Sequence, residues 1–273
     1  MIGFANLYRT AALAGFALLA ACAPAAPARE AGPAKVVSLN PCIDAILVEI
    51  AEPGQVLALS HYSRDAGSSS LPPETVRQYA TTGGTVEEIV ALQPDIVLAS
   101  TFIAPATRNA LERLGLRVET FGSPISVDES AEQVERIGRL IDAPDAAARL
   151  VAEMRSEPAS HRQRQIATML WQPGQIVPGG QTLIAQLLAD HGFTNFSEAK
   201  GLSQADFVSL EAVLADPPEL LLVAGDSVGQ RHPALEALSD TTVERLDPKL
   251  LYCGGPTIPQ ANARLAEIRE QFR

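Results

Sequence analysis

The sequence predicts an α/β protein built from two similar lobes, and two patterns in its 273 residues lead to this prediction. From residue 35 onward, short apolar runs alternate with stretches of helical periodicity. Such alternation is typical of parallel sheets that are covered by helices. In addition, residues 85–98 recur in residues 209–222, which indicates that the two lobes share one architecture.

Each copy of the repeat has the same order of local signals. A hydroxyl residue, Thr85 or Ser209, is placed to cap a short helix, and a proline then ends the helix before an apolar strand begins. Two Rossmann-like lobes with parallel sheets explain this pattern best.

The stretch between the two copies is predicted to connect the lobes. Helical periodicity covers residues 127–141 and continues from Asp145 to about Met154, with Pro144 suited to a first helical turn. Because a helix resists bending, we expect a rigid connecting helix and a largely preformed ligand cleft between the lobes. The predicted parts are an N-terminal lobe over 35–126, connecting helices over 127–165 and a C-terminal lobe over 166–273.

The N-terminal residues have the composition of a targeting segment. Arg9 precedes an apolar run over residues 11–21, which is about half the length that a membrane-spanning helix needs. The run ends in a Leu-Ala-Ala-Cys sequence that resembles a bacterial lipobox. We therefore predict a signal peptide over 1–21, lipidation of Cys22 and an Ala/Pro-rich tether over 22–34. The alternative is an ordinary signal peptide that is cut at a nearby Ala-x-Ala.

Composition limits the possible partners. The chain has 32 acidic and 21 basic residues, and its net charge of -11 has the wrong sign for binding DNA, RNA or an anionic bilayer. We expect no nucleic-acid partner. Three cysteines and four histidines leave few candidates for metal binding or acid–base catalysis.

Several short motifs stand in an order that resembles the substrate-binding proteins of ABC importers for vitamin B12, ferric siderophores and haem. They lie at residues 36–41, 56–60, 85–98, 111–118, 209–222 and 255–258. The resemblance covers residues 35–272 and implies capture of a metal chelate, delivery to a permease with its ATPase, and no chemical step. It also implies work in the periplasm, where we expect a membrane-anchored monomer without a covalently bound cofactor.

Members of this family dock onto permease arginines through one acid on the surface of each lobe. The resemblance assigns this role to Glu87 and Glu211, which occupy equivalent positions in the two copies of the repeat. The alternative is that each acid only interacts favourably with the dipole of the helix whose first turn it occupies.

Ligand contacts are expected beyond the carboxyl ends of the strands, where open α/β sheets bind their ligands. The predicted cleft residues are Cys42, His61, Tyr62, Ser100, Thr101, Trp171, Gly179, Gly180, Tyr252 and Cys253. Gly179 and Gly180 would offer backbone N–H groups at a helix start. By the resemblance, Tyr62 matches an aromatic residue that packs on the corrin ring, whereas Thr82 replaces a tryptophan of the vitamin B12 binders. Trp171 either lines the cleft or packs in the core.

The resemblance places Cys42 and Cys253 on opposite sides of the cleft, and three interpretations remain open. A disulfide requires Cα atoms within about 7 Å, which a pocket for a large ligand disfavours. Two thiolates and His61 would suit a metal ion or the metal centre of a chelate. The third possibility is a pair of reduced, packed cysteines.

The expected ligand is a corrinoid or a ferric siderophore, followed by haem. Alternatives are a binding protein for a bare metal ion, and an envelope lipoprotein that passes ligand or signal to another partner. A hydrolase is disfavoured, although Ser227 lies in a G-x-S-x-G sequence after an apolar strand. The only later histidine, His232, precedes every acid that could complete the triad in the hydrolase order.

Overall fold

The structure of the protein is a computed structural model, and it describes residues 32–156, 164–201, 205–251 and 253–272. The predicted signal peptide, lipidation site Cys22 and most of the tether lie outside the described residues, as does Tyr252. Among the helices of the described ranges, none is long and apolar enough to cross a membrane.

The N-terminal lobe contains a parallel sheet with the strand order β3-β2-β1-β4-β5. Its strands are β1 (Val36–Ser38), β2 (Val56–Ser60), β3 (Thr81–Thr82), β4 (Ile96–Ser100) and β5 (Arg117–Phe121). Its helices are α1 (Pro41–Ile50), α2 (Pro73–Val76), α3 (Val86–Leu92) and α4 (Pro105–Arg113).

Helix α1 follows β1 directly, so its first turn lies next to the carboxyl end of that strand. The side chain of Asn40 accepts hydrogen bonds from the backbone N–H groups of Cys42, at 2.8 Å, and Ile43, at 3.3 Å. Pro41 occupies the first helical turn, where its missing N–H costs no hydrogen bond. The start of α1 is therefore fixed by local sequence.

The C-terminal lobe contains a second parallel sheet, with the order β11-β10-β6-β8, and a separate antiparallel ribbon of β7 and β9. The strands are β6 (Ile166–Trp171), β7 (Ile176–Pro178), β8 (Phe193–Asn195), β9 (Ala205–Phe207), β10 (Leu220–Ala224) and β11 (Thr242–Leu246). Two helices, α5 (Val127–Leu140) and α6 (Pro144–Met154), precede this lobe. Its own helices are α7 (Leu183–Asp190), α8 (Phe196–Ala199), α9 (Leu210–Ala215) and α10 (Thr257–Glu270).

The two copies of the repeat form the same structure. The hydroxyl oxygens of Thr85 and Ser209 each accept a hydrogen bond of 3.3 Å from a backbone N–H in the first turn of α3 or α9. Each helix then leads into a central strand of its sheet, β4 or β10. The prediction of two α/β lobes with parallel sheets is confirmed, whereas the β7–β9 ribbon was not predicted.

The residues between the lobes form two helices that pack against one another. The turn between α5 and α6 places Asp142 at a φ of 59°. One continuous hydrophobic cluster includes Leu47 of α1, Val134 of α5, Leu150 of α6 and Leu265 of α10. This cluster joins both lobes to the connecting helices and lies beneath the cleft.

We predict that Gly138→Ala will destabilise the protein by about 1–3 kcal/mol, because α5 and α6 approach closely at this glycine. A Cβ atom at position 138 would overlap the side chain of Ala147 and lie 3.1 Å from the carbonyl oxygen of Ala143. Chemical unfolding measures the change, with the exposed neighbour substitution Arg139→Ala as a control that should stay within about 0.5 kcal/mol. Stabilisation by about 1 kcal/mol, as for an unpacked helical glycine, would contradict this packing.

Candidate functional site

A cavity of about 320 Å³ lies between the lobes. Both lobes contribute to it beyond the ends of their strands, because Ser123 follows β5 and Gln172 follows β6. Its lining residues are Ser123, Pro124, Ile125, Gln172, Ile176, Pro178, Gln181, Thr182, Leu183, Ile184, Ala205, Leu251, Cys253 and Gly254. The expected location of the ligand cleft, beyond the carboxyl ends of the strands, agrees with this cavity.

A smaller cavity of about 30 Å³ lies on the N-terminal side. It shares Ser123, Pro124 and Gly254 with the large cavity and is also lined by Cys42 and Ser100. Of the predicted cleft residues, these two therefore border the small cavity, while Cys253 borders the large one.

The large cavity is lined by neutral residues. None of the described residues that line it is charged, and its polar side chains are those of Ser123, Gln172, Gln181 and Thr182. The remaining contacts are mostly apolar, including Ile125 from the N-terminal side and Ile176 from the ribbon. Such a lining suits a ligand whose contacting surface combines apolar groups with uncharged hydrogen-bonding groups.

The β7–β9 ribbon forms an apolar wall that sequence reasoning did not anticipate. Ile176 and Phe207 lie directly opposite one another in the antiparallel register, so their side chains share one face of the ribbon. Ile176 lines the cavity, and Phe207 is 62% exposed. An exposed phenylalanine beside a cleft is a ligand-contact candidate, but the strand pairing that places it there has no local sequence signal.

The prediction that Trp171 contacts the ligand is wrong. Trp171 is fully buried in a hydrophobic cluster of the C-terminal lobe, and its indole N–H donates a hydrogen bond of 2.9 Å to the carbonyl oxygen of Val208. Val208 directly follows β9. Trp171 is therefore a core residue that positions the ribbon from beneath.

Neither Gly179 nor Gly180 lines the two cavities described, so their contact with a ligand stays a prediction. Gly179 is buried, and its carbonyl oxygen accepts a hydrogen bond of 2.9 Å from the hydroxyl of Thr182. Gly180 packs against the side chain of Glu198. Helix α7 begins only at Leu183 and is capped by the Thr182 side chain. The cavity is consequently lined by residues 181–184, just after the predicted pair.

His61 and Tyr62 form a stacked pair in the turn that follows β2. Their ring centroids are 4.0 Å apart, and Tyr62 is 51% exposed. The Nδ1 atom of His61 lies 3.3 Å from the carbonyl oxygen of Thr82, a residue whose side chain is buried and donates to Glu88. Neither ring lines the two cavities described, so their contact with a ligand stays a prediction, as does that of the exposed Thr101.

A buried carboxylate, Asp44 of α1, supports this turn from below. Its Oδ2 atom accepts hydrogen bonds from the backbone N–H of Ser60, at 2.9 Å, and from the hydroxyl of Ser63, at 2.6 Å. Burial raises the pKa of Asp44 to about 7, and hydrogen bonds from Ser38, Ser63 and Ser60 oppose this shift only in part. Asp44 is thus a positioning residue for the His61–Tyr62 turn.

Cys42 and Cys253 form a disulfide, with their Cα atoms 5.1 Å apart. This corrects the prediction of a metal site at Cys42, His61 and Cys253, because a disulfide leaves no thiolate to bind a metal. The described residues also contain no group of three or more His, Cys, Asp or Glu side chains arranged to hold a metal ion. Of the three interpretations left open for the cysteine pair, the structure therefore supports the disulfide, and the two cysteines meet beside both cavities.

Within the G-x-S-x-G segment and the residues that follow it, the serine and the histidine both take part in local hydrogen bonds. The hydroxyl of Ser227 donates a hydrogen bond of 2.9 Å to the side-chain oxygen of Gln230. The Nδ1 atom of His232 accepts a hydrogen bond of 3.1 Å from the backbone N–H of Ala234. The serine and the histidine are therefore engaged with other partners.

Comparison with known proteins identifies the family. Residues 36–243 match the family model described as "Periplasmic binding protein", and the chain belongs to this family. The "Cobalamin-binding protein" of Halobacterium salinarum is 31% identical over 135 residues, which cover 48% of this chain and 35% of the relative. The aligned part thus spans about a third of that relative's length.

Two further matches cover most of the chain. The "Vitamin B12-binding protein" of Photorhabdus laumondii is 25% identical over 256 residues, or 85% of this chain and 89% of the relative. Among solved structures, the periplasmic heme-binding protein RhuT from Roseiflexus sp. RS-1 superimposes with a TM-score of 0.70 at 21% identity. That match covers 88% of this chain and 99% of the RhuT chain, and it shows a common fold.

We predict that Asp44 contributes stability that is lost as pH rises from about 4 to 8, and that the stability difference between the wild type and Asp44→Asn changes with pH accordingly. The pKa of the Asp44 carboxyl is near 7 in the folded state and 3.8 in the unfolded state. The folded state therefore holds the carboxyl proton more tightly. The stabilising contribution is complete below pH 3.8 and is lost as pH passes 7. Its size is at most about 4 kcal/mol, since one pKa unit corresponds to about 1.4 kcal/mol.

Chemical unfolding of both proteins between pH 4 and pH 8 measures this difference. Glu49→Gln removes an exposed carboxylate from the same helix and serves as the control, which should follow the wild type. Parallel pH profiles for the wild type and Asp44→Asn would contradict the assignment.

Proposed function

We propose that the chain is an extracytoplasmic solute-binding lipoprotein that captures a metal-chelate nutrient and delivers it to an ABC permease, without a chemical step. The observation that carries this proposal is the neutral cavity between the lobes, in which the described lining contains no charged side chain. Buried charge on a ligand requires an opposite charge or a dense set of hydrogen bonds in its site. The lining therefore favours a chelate with an uncharged periphery.

A corrinoid is the ligand that fits this chemistry best. The periphery of its corrin ring consists of neutral amides and methyl groups, which match the side chains of Gln172, Gln181 and Thr182 and the apolar Ile176, with Phe207 beside it in the ribbon. Haem carries two propionates and ferric catecholates carry a large negative charge, and both would face this lining without a cationic partner. The names of the relatives from Halobacterium and Photorhabdus support the same choice.

Delivery to a permease is proposed from the two acids of the repeat. Glu87 and Glu211 are each exposed in the first turn of their helix, α3 and α9. Neighbouring Glu88 has a structural role, because its carboxylate accepts hydrogen bonds of 2.7 Å from Thr82 and Gly83. No ion pair engages Glu87 or Glu211 within the described parts of the chain. Each lobe thus presents one acid to a partner with matching arginines.

The proposed location rests on the N-terminal segment. A lipid on Cys22 and a tether up to residue 34 would keep the binding lobes at a membrane surface, close to the permease. Mass spectrometry of the protein isolated from membranes would show a lipidated N-terminal Cys22, and Cys22→Ser would release the protein from the membrane fraction.

Calorimetric titration tests the ligand. We expect cyanocobalamin to bind with a Kd below about 1 µM, and Phe207→Ala to weaken this binding at least about tenfold, since an aromatic contact is lost. Leu114→Ala is the control, because Leu114 is an equally exposed apolar residue at the end of α4, away from the cavity. Tight binding of haemin or a ferric siderophore, with none of cyanocobalamin, would overturn the corrinoid assignment.

Uptake measurements test the docking acids. We expect the double reversal Glu87→Arg and Glu211→Arg to abolish cyanocobalamin uptake in cells and to leave the affinity of the purified protein unchanged, because both acids lie outside the cavity. The control reverses two other exposed acids, Glu74→Arg and Glu236→Arg, which changes the net charge equally. Normal uptake by the first variant would favour a lipoprotein that passes its ligand or signal to a different envelope partner.

A further inference from the structure

The Cys42–Cys253 disulfide crosses from one lobe to the other. Cys42 lies in the first turn of α1, which covers the N-terminal sheet, and Cys253 precedes α10, which packs in the C-terminal lobe. The two residues are 211 positions apart in the sequence. Cys42 borders the small cavity and Cys253 borders the large one, so the cross-link forms part of the floor between them.

The backbone beside the disulfide is closely fitted to the connecting helix α5 and to α1 of the N-terminal lobe. The N–H of Gly255 donates a hydrogen bond of 2.7 Å to the hydroxyl of Ser130 in α5. A Cβ atom at Gly254 would overlap Ser130, and one at Gly255 would lie 2.8 Å from Ile46 of α1. Two successive residues without side chains therefore allow Cys253 to come within bonding reach of Cys42.

We propose that this disulfide is a second covalent joint between the lobes, which acts with the connecting helices to fix the cleft floor and preorganise the ligand site. The chain itself joins the lobes through the segment that contains α5 and α6. A body attached at one place can rotate in several directions, whereas a body attached at two separate places rotates only about the line between them. The disulfide thus removes most directions in which the lobes could open.

The consequence for binding follows from the position of the joint. The cavity combines residues of both lobes, so any loosening at the floor changes the distance between its two walls. A site that already has its bound geometry loses less conformational entropy when the ligand enters. The effect on affinity rests on the proposed function, whereas the effect on lobe motion does not depend on any ligand.

Distance measurements between the lobes test the joint directly. Spin labels are attached to Glu74→Cys in the N-terminal lobe and Glu236→Cys in the C-terminal lobe, in a chain that also carries Cys22→Ser. Pulsed electron paramagnetic resonance then compares the native disulfide with the double variant Cys42→Ser and Cys253→Ser. We expect a broader distance distribution without the disulfide, and equal widths would overturn the proposal.

Titration with cyanocobalamin measures the consequence. We expect about tenfold weaker binding by the double variant, because the two walls of its cavity are no longer held at a fixed distance from each other. The control is Ile89→Ala, a core substitution of the N-terminal lobe that lowers stability but should leave affinity unchanged. Equal affinity in the presence and absence of the disulfide would overturn the preorganising role.

Two further controls distinguish failure of the disulfide proposal from failure of the corrinoid proposal or of folding. If the double variant does not fold, the wild type treated with dithiothreitol replaces it in the titration, with the oxidised protein as its reference. If the oxidised wild type binds no cyanocobalamin, the corrinoid proposal fails, and the distance distributions alone decide whether the disulfide restrains the lobes.

Discussion

The close contact between residues 253–255 and the helices α1 and α5 determines where a ligand can lie. Gly254 and Gly255 leave no space for side chains against Ser130 and Ile46, and the disulfide to Cys42 closes the same contact covalently. Beneath this contact, one hydrophobic cluster continues from the first lobe through the connecting helices into the second. The open space is therefore restricted to the region above the floor, between the ribbon and the loops that follow the N-terminal strands.

The parts of this arrangement that were predicted from the sequence have local physical causes. Thr85 and Ser209 cap their helices through hydrogen bonds that span only three residues, so the pattern of the repeat could be read directly. Alternation of apolar strands with helices likewise follows from burial on both faces of a parallel sheet. These signals were sufficient to predict the two lobes and the helices between them. The region of the cleft could be predicted as well, because open α/β sheets bind ligands at one edge.

The parts that were predicted wrongly depend on contacts between distant segments. Trp171 lies at the end of a strand, as a ligand contact would, but it is buried, and its indole N–H donates a hydrogen bond to Val208, the residue that follows the ribbon. The ribbon in turn pairs residues about thirty positions apart, and no local pattern marks them as partners. A disulfide between Cys42 and Cys253 was one of three open interpretations and was disfavoured, because the sequence does not show how closely the two lobes approach each other at this point.

The position of the β7–β9 ribbon outside the four-stranded sheet has a consequence for the evolution of ligand preference. Ile176 and Phe207 project from a ribbon whose strands bond to one another, so replacing either residue removes no hydrogen bond from the sheet of the lobe. The folding core and the surface that we propose to meet the ligand are thus encoded by largely separate residues. A chelate of different shape could therefore be accommodated through a few substitutions in the ribbon, without changes to the sheet beneath it.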